Sequence, residues 1–282
     1  MPDYGPETPL SYRQEVAGRF FNDYVRAGES CNLVGLAGGG MTRLVDFLVR
    51  PDVQTHYLAN IDNPPLLLKV DCNRIEEISD WGLCEVMLTA LVEGCSRRPE
   101  LVSLRPELGQ MRSEVITTRN PLLALRNLEL AVDILIEQSG VRIYFVLNTF
   151  DELFRELPDL ALNHLRALRD AHKYDLNYVF CLHQLPEFLR PAHRDKLSAR
   201  FLQNVLIVGH YSEADAQRMI EQLIARRGVA LSPAAVGQMI RLSGRHAGLI
   251  QGIFNSLPGL EGELSDRGLT DRLLDQSPAL IE

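Results

Sequence analysis

Gly35-Leu36-Ala37-Gly38-Gly39-Gly40-Met41-Thr42 carries the chemistry most open to reading from residue type and spacing. It fits the phosphate-loop pattern G-x-x-x-x-G-K-[ST] at every fixed position except the lysine, which is Met41. In such a loop, backbone N–H groups and a helix N-terminus hold phosphates, a lysine ammonium reaches the outer phosphates, and the final hydroxyl ligates a metal. Gly35, Gly38, Gly39, Gly40, Met41 and Thr42 are therefore candidate nucleotide contacts, with Thr42 the candidate metal ligand. Methionine packs against apolar surface but donates no charged hydrogen bond, so the cradle survives and its cation does not. Arg43 belongs to the same candidate segment, but on a helix it points to another face and does not replace the lysine.

The elements around the loop suit it. Cys31 to Leu36 reads as a short buried strand, and Met41 to Arg50 as a helix ended by Pro51. Further strands are expected at Leu66 to Val70, Arg142 to Leu147, Tyr178 to Leu182 and Val205 to Val208. Helices are expected at Pro9 to Ala27, Ile78 to Cys95, Leu122 to Gln138 and Leu160 to His172, with Arg97 to Asn120 an irregular insertion. Strands interleaved with helices imply an α/β three-layer domain with a mainly parallel five-stranded sheet. From Ser212 the pattern turns helical. Asp215 follows that cap by three residues, Ser232-Pro233 opens a second helix, Gly244 divides it from Leu249 to Leu257, and Leu269 to Leu274 reads as a last short helix. The expected domains are a helical lead-in over 1–30, a P-loop domain over 31–210 and a small helical lid over 211–282.

Composition bounds the function. The chain has 282 residues, 46% hydrophobic and 23% charged, enough for a buried core and unlike a disordered protein. Its net charge of -8 argues against a protein whose main task is to hold nucleic acid. Its apolar runs are too short to cross a membrane, and Met1 to Pro9 lacks the pattern of a signal peptide, so a cytoplasmic address is the default. The five cysteines are widely spaced with no C-x-x-C pair and read as small core residues. Histidines such as His56, His164 and His210 have no ligand spacing, so no zinc site is expected.

A second motif brings a resemblance. Arg142-Ile-Tyr-Phe-Val-Leu-Asn148-Thr149-Phe150-Asp151-Glu152-Leu153 resembles the Walker B strand of AAA+ and STAND NTPases in its form ending D-E-F-D-E-L. The resemblance aligns Asn148 with the magnesium-coordinating aspartate and Thr149 with the catalytic glutamate, so both acids are missing. A rival alignment makes Asp151 and Glu152 the functional acids; as residues opening a helix, they are also favoured there by its dipole. His183-Gln184 falls where the family has its sensor 1 residue, and Gln184 or His183 is the candidate phosphate contact. Leu197-Ser198-Ala199-Arg200-Phe201 is similar to the stretch that presents an arginine finger, which makes Arg200 the candidate finger. Ser243-Gly244-Arg245-His246-Ala247-Gly248-Leu249-Ile250 is similar to the G-G-H-P-G-L-L turn of STAND and archaeal-type ATPases, with Arg245 or His246 as sensor 2 equivalents. The likeness runs from about residue 10 to about 258.

These readings imply a catalytically degenerate P-loop protein, a regulatory or scaffold subunit that works with AAA+ or STAND-like protein partners as a homo- or hetero-oligomer. ATP or ADP binding without hydrolysis is compatible with the loop, and magnesium finds poor ligands. STAND resemblance suggests a prokaryotic signalling context. The alternatives are a slow ATPase using Thr42, Asp151, Glu152 and Arg245, or a DNA-binding initiator-like module.

Overall fold

Strand positions follow from unbroken apolar runs, since a parallel strand covered on both faces has no polar side to show. The computed structural model describes residues 8–190 and 204–256. The expected helix at Leu269 to Leu274 and the stretch holding Arg200 lie outside the described residues.

In chain order the elements are α1 (Gln14–Arg19, continued by a π-helical turn at Phe20–Val25), β1 (Cys31–Gly35), α2 (Met41–Leu48), α3 (Pro51–Tyr57), β2 (Leu66–Asp71) and α4 (Asp80–Cys95). There follow α5 (Arg105–Thr118), α6 (Pro121–Asp133, continued by a π-helical turn at Ile134–Gln138), β3 (Ile143–Asn148), α7 (Asp151–Glu156), α8 (Asp159–Ala171), β4 (Leu176–Leu182), α9 (Pro186–Leu189) and β5 (Val205–Val208). The last described helices are α10 (Glu213–Arg227), α11 (Pro233–Leu242) and α12 (Ala247–Asn255). The strands form one sheet in the order β2-β3-β4-β1-β5. Every residue of β1, β3 and β4 is buried. β2 pairs with β3, β3 with β4 and β4 with β1, all parallel. The registers Asp71↔Asn148, Leu147↔Phe180 and Val34↔Leu182 bring the carboxyl ends of these four strands to one edge of the sheet. In open α/β sheets that edge is where ligands bind.

The described residues divide into two compact units. One comprises Glu15–Gly35 and Thr42–Ile207, the sheet and its helices; the other joins Leu36–Met41 to the described parts of Met1–Gln14 and Val208–Glu282. In the helical unit, Ser212 Oγ accepts from the N–H of Asp215 and Ser232 Oγ from that of Ala235, satisfying first-turn donors of α10 and α11. Gly228, in the left-handed region at φ 65°, ends α10 with its N–H on Ile224 O.

Arg97 to Asn120 departs from the expected irregular insertion. It forms a 3-10 turn at Pro99–Leu104 and then the fourteen-residue α5. Leu101, Leu108 and Val115 recur every seven residues and are fully buried, so two helical turns separate successive apolar anchors. Trp81 Nε1 donates to Val115 O at 2.9 Å, and Arg112 bridges to Glu85 and Thr89 on α4. Leu104 and Met111, partly buried against the same core, complete a stripe at helical spacing, which Pro99, Pro106 and the polar residues between disguise in the sequence. Pro51 likewise does more than stop α2: it opens α3 as a first-turn residue, its missing N–H costing nothing there.

All five cysteines are free and buried. Burial pushes the Cys84 thiol up to about 12 and holds those of Cys31 and Cys72 well above the usual thiol range. Since the thiolate is the reactive form, a thiol-titrating reagent at mildly alkaline pH is expected to leave all five unmodified until denaturant is added. Rapid labelling of native protein would contradict this packing.

Candidate functional site

The glycine loop is built by backbone geometry that only glycine supplies. The N–H of Gly39 closes a turn on Leu36 O at 2.9 Å, and Gly38 and Gly40 take φ of 70° and 85°. A Cβ on Gly39 would lie 2.8 Å from Leu36 O, and one on Gly40 2.8 Å from the Tyr211 hydroxyl oxygen. Within the helical unit, three successive loop carbonyls find donors. Ala37 O accepts from His246 Nε2 at 3.0 Å, Gly38 O from the Gly248 N–H at 2.8 Å, and Gly39 O from Arg13 Nη2 at 2.5 Å. His246 Nδ1 accepts from the N–H of Leu249, which leaves Nε2 as the protonated, donating nitrogen. Arg13 also donates from Nη1 to Gly209 O at 2.7 Å, sends its backbone N–H to Asp215, and lays its guanidinium 4.5 Å from the centre of the Tyr211 ring. With the carbonyls engaged, the N–H groups of Gly38 and Gly40 have no partner among the described residues, the state in which a cradle takes phosphate oxygens.

At the carboxyl edge of the sheet, Asn148 is 2% exposed. Its Nδ2 donates to Thr42 Oγ1 at 3.4 Å, while its Oδ1 is buried without a partner. Thr149 follows at φ 60°, a left-handed conformation that β-branched residues avoid. The N–H of Phe150 then donates to Cys181 O at 3.0 Å, tying the turn to β4. Asp151 opens α7, and its carboxylate accepts the His183 N–H at 2.7 Å and lies 2.8 Å from His183 Nδ1. Asp151 therefore fastens α7 to the end of β4, while Glu152 is exposed.

The remaining sequence candidates are placed as follows. Met41 is buried at 6% exposure, and Arg43 is half-buried. Gln184 is exposed at the end of β4. Arg245 has an exposed side chain and a backbone at φ 65° whose carbonyl accepts from the Tyr211 N–H, so His246 rather than Arg245 meets the loop. Sequence reasoning missed Arg13 and Tyr211, because no local spacing links residue 13 to residue 39.

A nucleotide with magnesium is what the resemblance implies. The glycine cradle, with its unengaged amides, fits phosphates. Thr42, Asn148 and Thr149 include no carboxylate and do not fit a divalent cation that prefers charged oxygen ligands. Among the described residues no group of three or more His, Cys, Asp or Glu side chains could hold a metal.

Two substitutions check this geometry. Thr149→Asn, which tolerates the left-handed region, is expected to raise stability by about 1 kcal/mol in urea unfolding; a loss would contradict the conformation. Asp151→Ala strands the His183 N–H and is expected to cost about 1–3 kcal/mol, with Asp151→Asn costing less because one acceptor oxygen remains.

No protein-family model matches the sequence, and no curated protein does. Solved structures do match in fold. The ORC1 protein of Aeropyrum pernix, determined in complex with DNA, gives a TM-score of 0.59 at 13% identity, over 98% of this chain and 68% of that one. The ADP form of the ORC2 protein from the same organism gives 0.60 at 13% identity, over 98% and 71%. A Walker-type ATPase of Pyrococcus abyssi gives 0.57 at 12% identity, over 99% and 77%. The strand order, the glycine loop after β1 and the helices that follow β5 give this chain the α/β P-loop fold of the archaeal Orc1/Cdc6-type AAA+ ATPases.

Proposed function

We propose that the chain binds an adenine nucleotide, ATP or ADP, without hydrolysing it, and serves as a regulatory or scaffold subunit beside other P-loop proteins. One observation carries this reading. The backbone cradle of the loop is intact, while the three charged groups of the catalytic pattern are replaced by buried Met41, buried Asn148 and Thr149.

The chemistry divides along that line. Backbone amides bind phosphate oxygens whatever the neighbouring side chains are, so affinity survives. Phosphoryl transfer needs charge stabilisation and an oriented nucleophile, and removing a general base alone costs roughly 10²–10⁴ in rate. Threonine is no base near neutral pH, and Asp151 is engaged by His183. A second P-loop subunit is the proposed partner, with Arg200 as the arginine offered to it. The net charge of -8 weighs against the DNA-binding alternative.

Thermal unfolding tests the binding half. A ligand that binds only the folded state stabilises by RT ln(1 + [L]/Kd), about 2.7 kcal/mol at a hundredfold excess over Kd. Millimolar ADP or ATP is expected to raise the unfolding midpoint, with no phosphate release above background. Met41→Lys is expected to tighten nucleotide binding by about tenfold through a charge-assisted bond. Magnesium-dependent turnover that Thr42→Ala abolishes would instead establish the slow-ATPase alternative.

A further inference from the structure

We infer that this chain takes its nucleotide free of magnesium, so that binding is independent of divalent cation. The inference rests on the nucleotide-binding reading and concerns residues of the sheet unit alone. The Thr42 hydroxyl, the one metal-ligand type kept from the motif, already accepts an amide N–H from Asn148. Turned the other way, the Asn148 amide would accept from that hydroxyl and bury its N–H groups; in both orientations it stays neutral. Its Oδ1 is an uncharged buried acceptor without a partner, and a water or an N–H donor meets it as well as a cation does.

Nearby carboxylates do not make up the difference. Asp71, beside Asn148 in the β2–β3 register, accepts from the backbone and side-chain amides of Asn73. Asp151 is held by His183, and Asp46, one turn along α2 from Thr42, is paired with Lys69. Mg²⁺ sheds its water reluctantly and is ordinarily held through one or two carboxylates plus the phosphates. No carboxylate stands here at the Walker B position.

The test is calorimetric titration of ADP into the full chain, once in excess EDTA and once in millimolar magnesium chloride. The dissociation constants are expected to agree within about twofold. Asn148→Asp, which restores the negative charge beside Thr42, is expected to bind ADP about tenfold or more tightly with magnesium than without it. A wild-type chain that needs magnesium to bind ADP overturns this inference and leaves nucleotide binding standing. No binding in either buffer overturns both. An Asn148→Asp chain that folds, judged by its thermal midpoint, yet stays indifferent to magnesium overturns the assignment to Asn148.

Discussion

The order of the glycine loop in the helical unit depends on three consecutive carbonyls, those of Ala37, Gly38 and Gly39, pointing to donors on His246, Gly248 and Arg13. A helix begins with amides that have no partner of their own. In α12 the His246 ring takes the Leu249 N–H and the Gly38 carbonyl takes the Gly248 N–H, so the glycine loop completes the helix cap. The exchange is reciprocal, because the cap fixes the direction of the loop carbonyls and thereby turns its amides elsewhere. Glycine is required at Gly39 because a Cβ would meet the Leu36 carbonyl, and at Gly38 and Gly40 for their positive φ. A phosphate loop ordered in this way keeps its shape without the lysine that the motif usually carries.

The sheet unit shows the complementary change. Its carboxyl edge holds Thr42 and the turn after β3, yet Thr42, Asn148 and Thr149 are neutral and Asp151 is paired with His183. Thr149 sits in a backbone conformation that costs a β-branched residue about 1–2 kcal/mol. The Phe150 bond to Cys181 O and the Asp151 bonds to His183 hold that turn in place. The loop's backbone geometry is present where the motif's charged side chains are not, the combination on which the proposed binding without phosphoryl transfer rests.

Much of this was legible in the sequence for identifiable reasons. Buried parallel strands announce themselves as apolar runs, and residues 143–147 of β3 and 178–182 of β4 are such runs. Ser212 and Ser232 were legible because a cap acts within three residues of itself. α5 was hidden because Pro106 and the polar residues around Leu104, Leu108, Met111 and Val115 read as an irregular insertion, although those four share one face. The clamp by Arg13 was invisible for a different reason: its partners at Gly39, Gly209 and Asp215 are joined by the fold alone. Asp151 and His183 each drew notice as candidate functional groups, and only the strand register reveals that they satisfy one another.

Amide exchange at Gly248, followed by NMR in nucleotide-free protein, tests the central constraint most directly. Protection of this second-position helix amide depends on its bond to Gly38 O, since no carbonyl within α12 can reach it. Exchange slowed to the range of the interior amides of α12, and accelerated by Arg13→Ala, is the result this account predicts. Exchange at the rate of an unbonded surface amide would mean that α12 does not hold the loop.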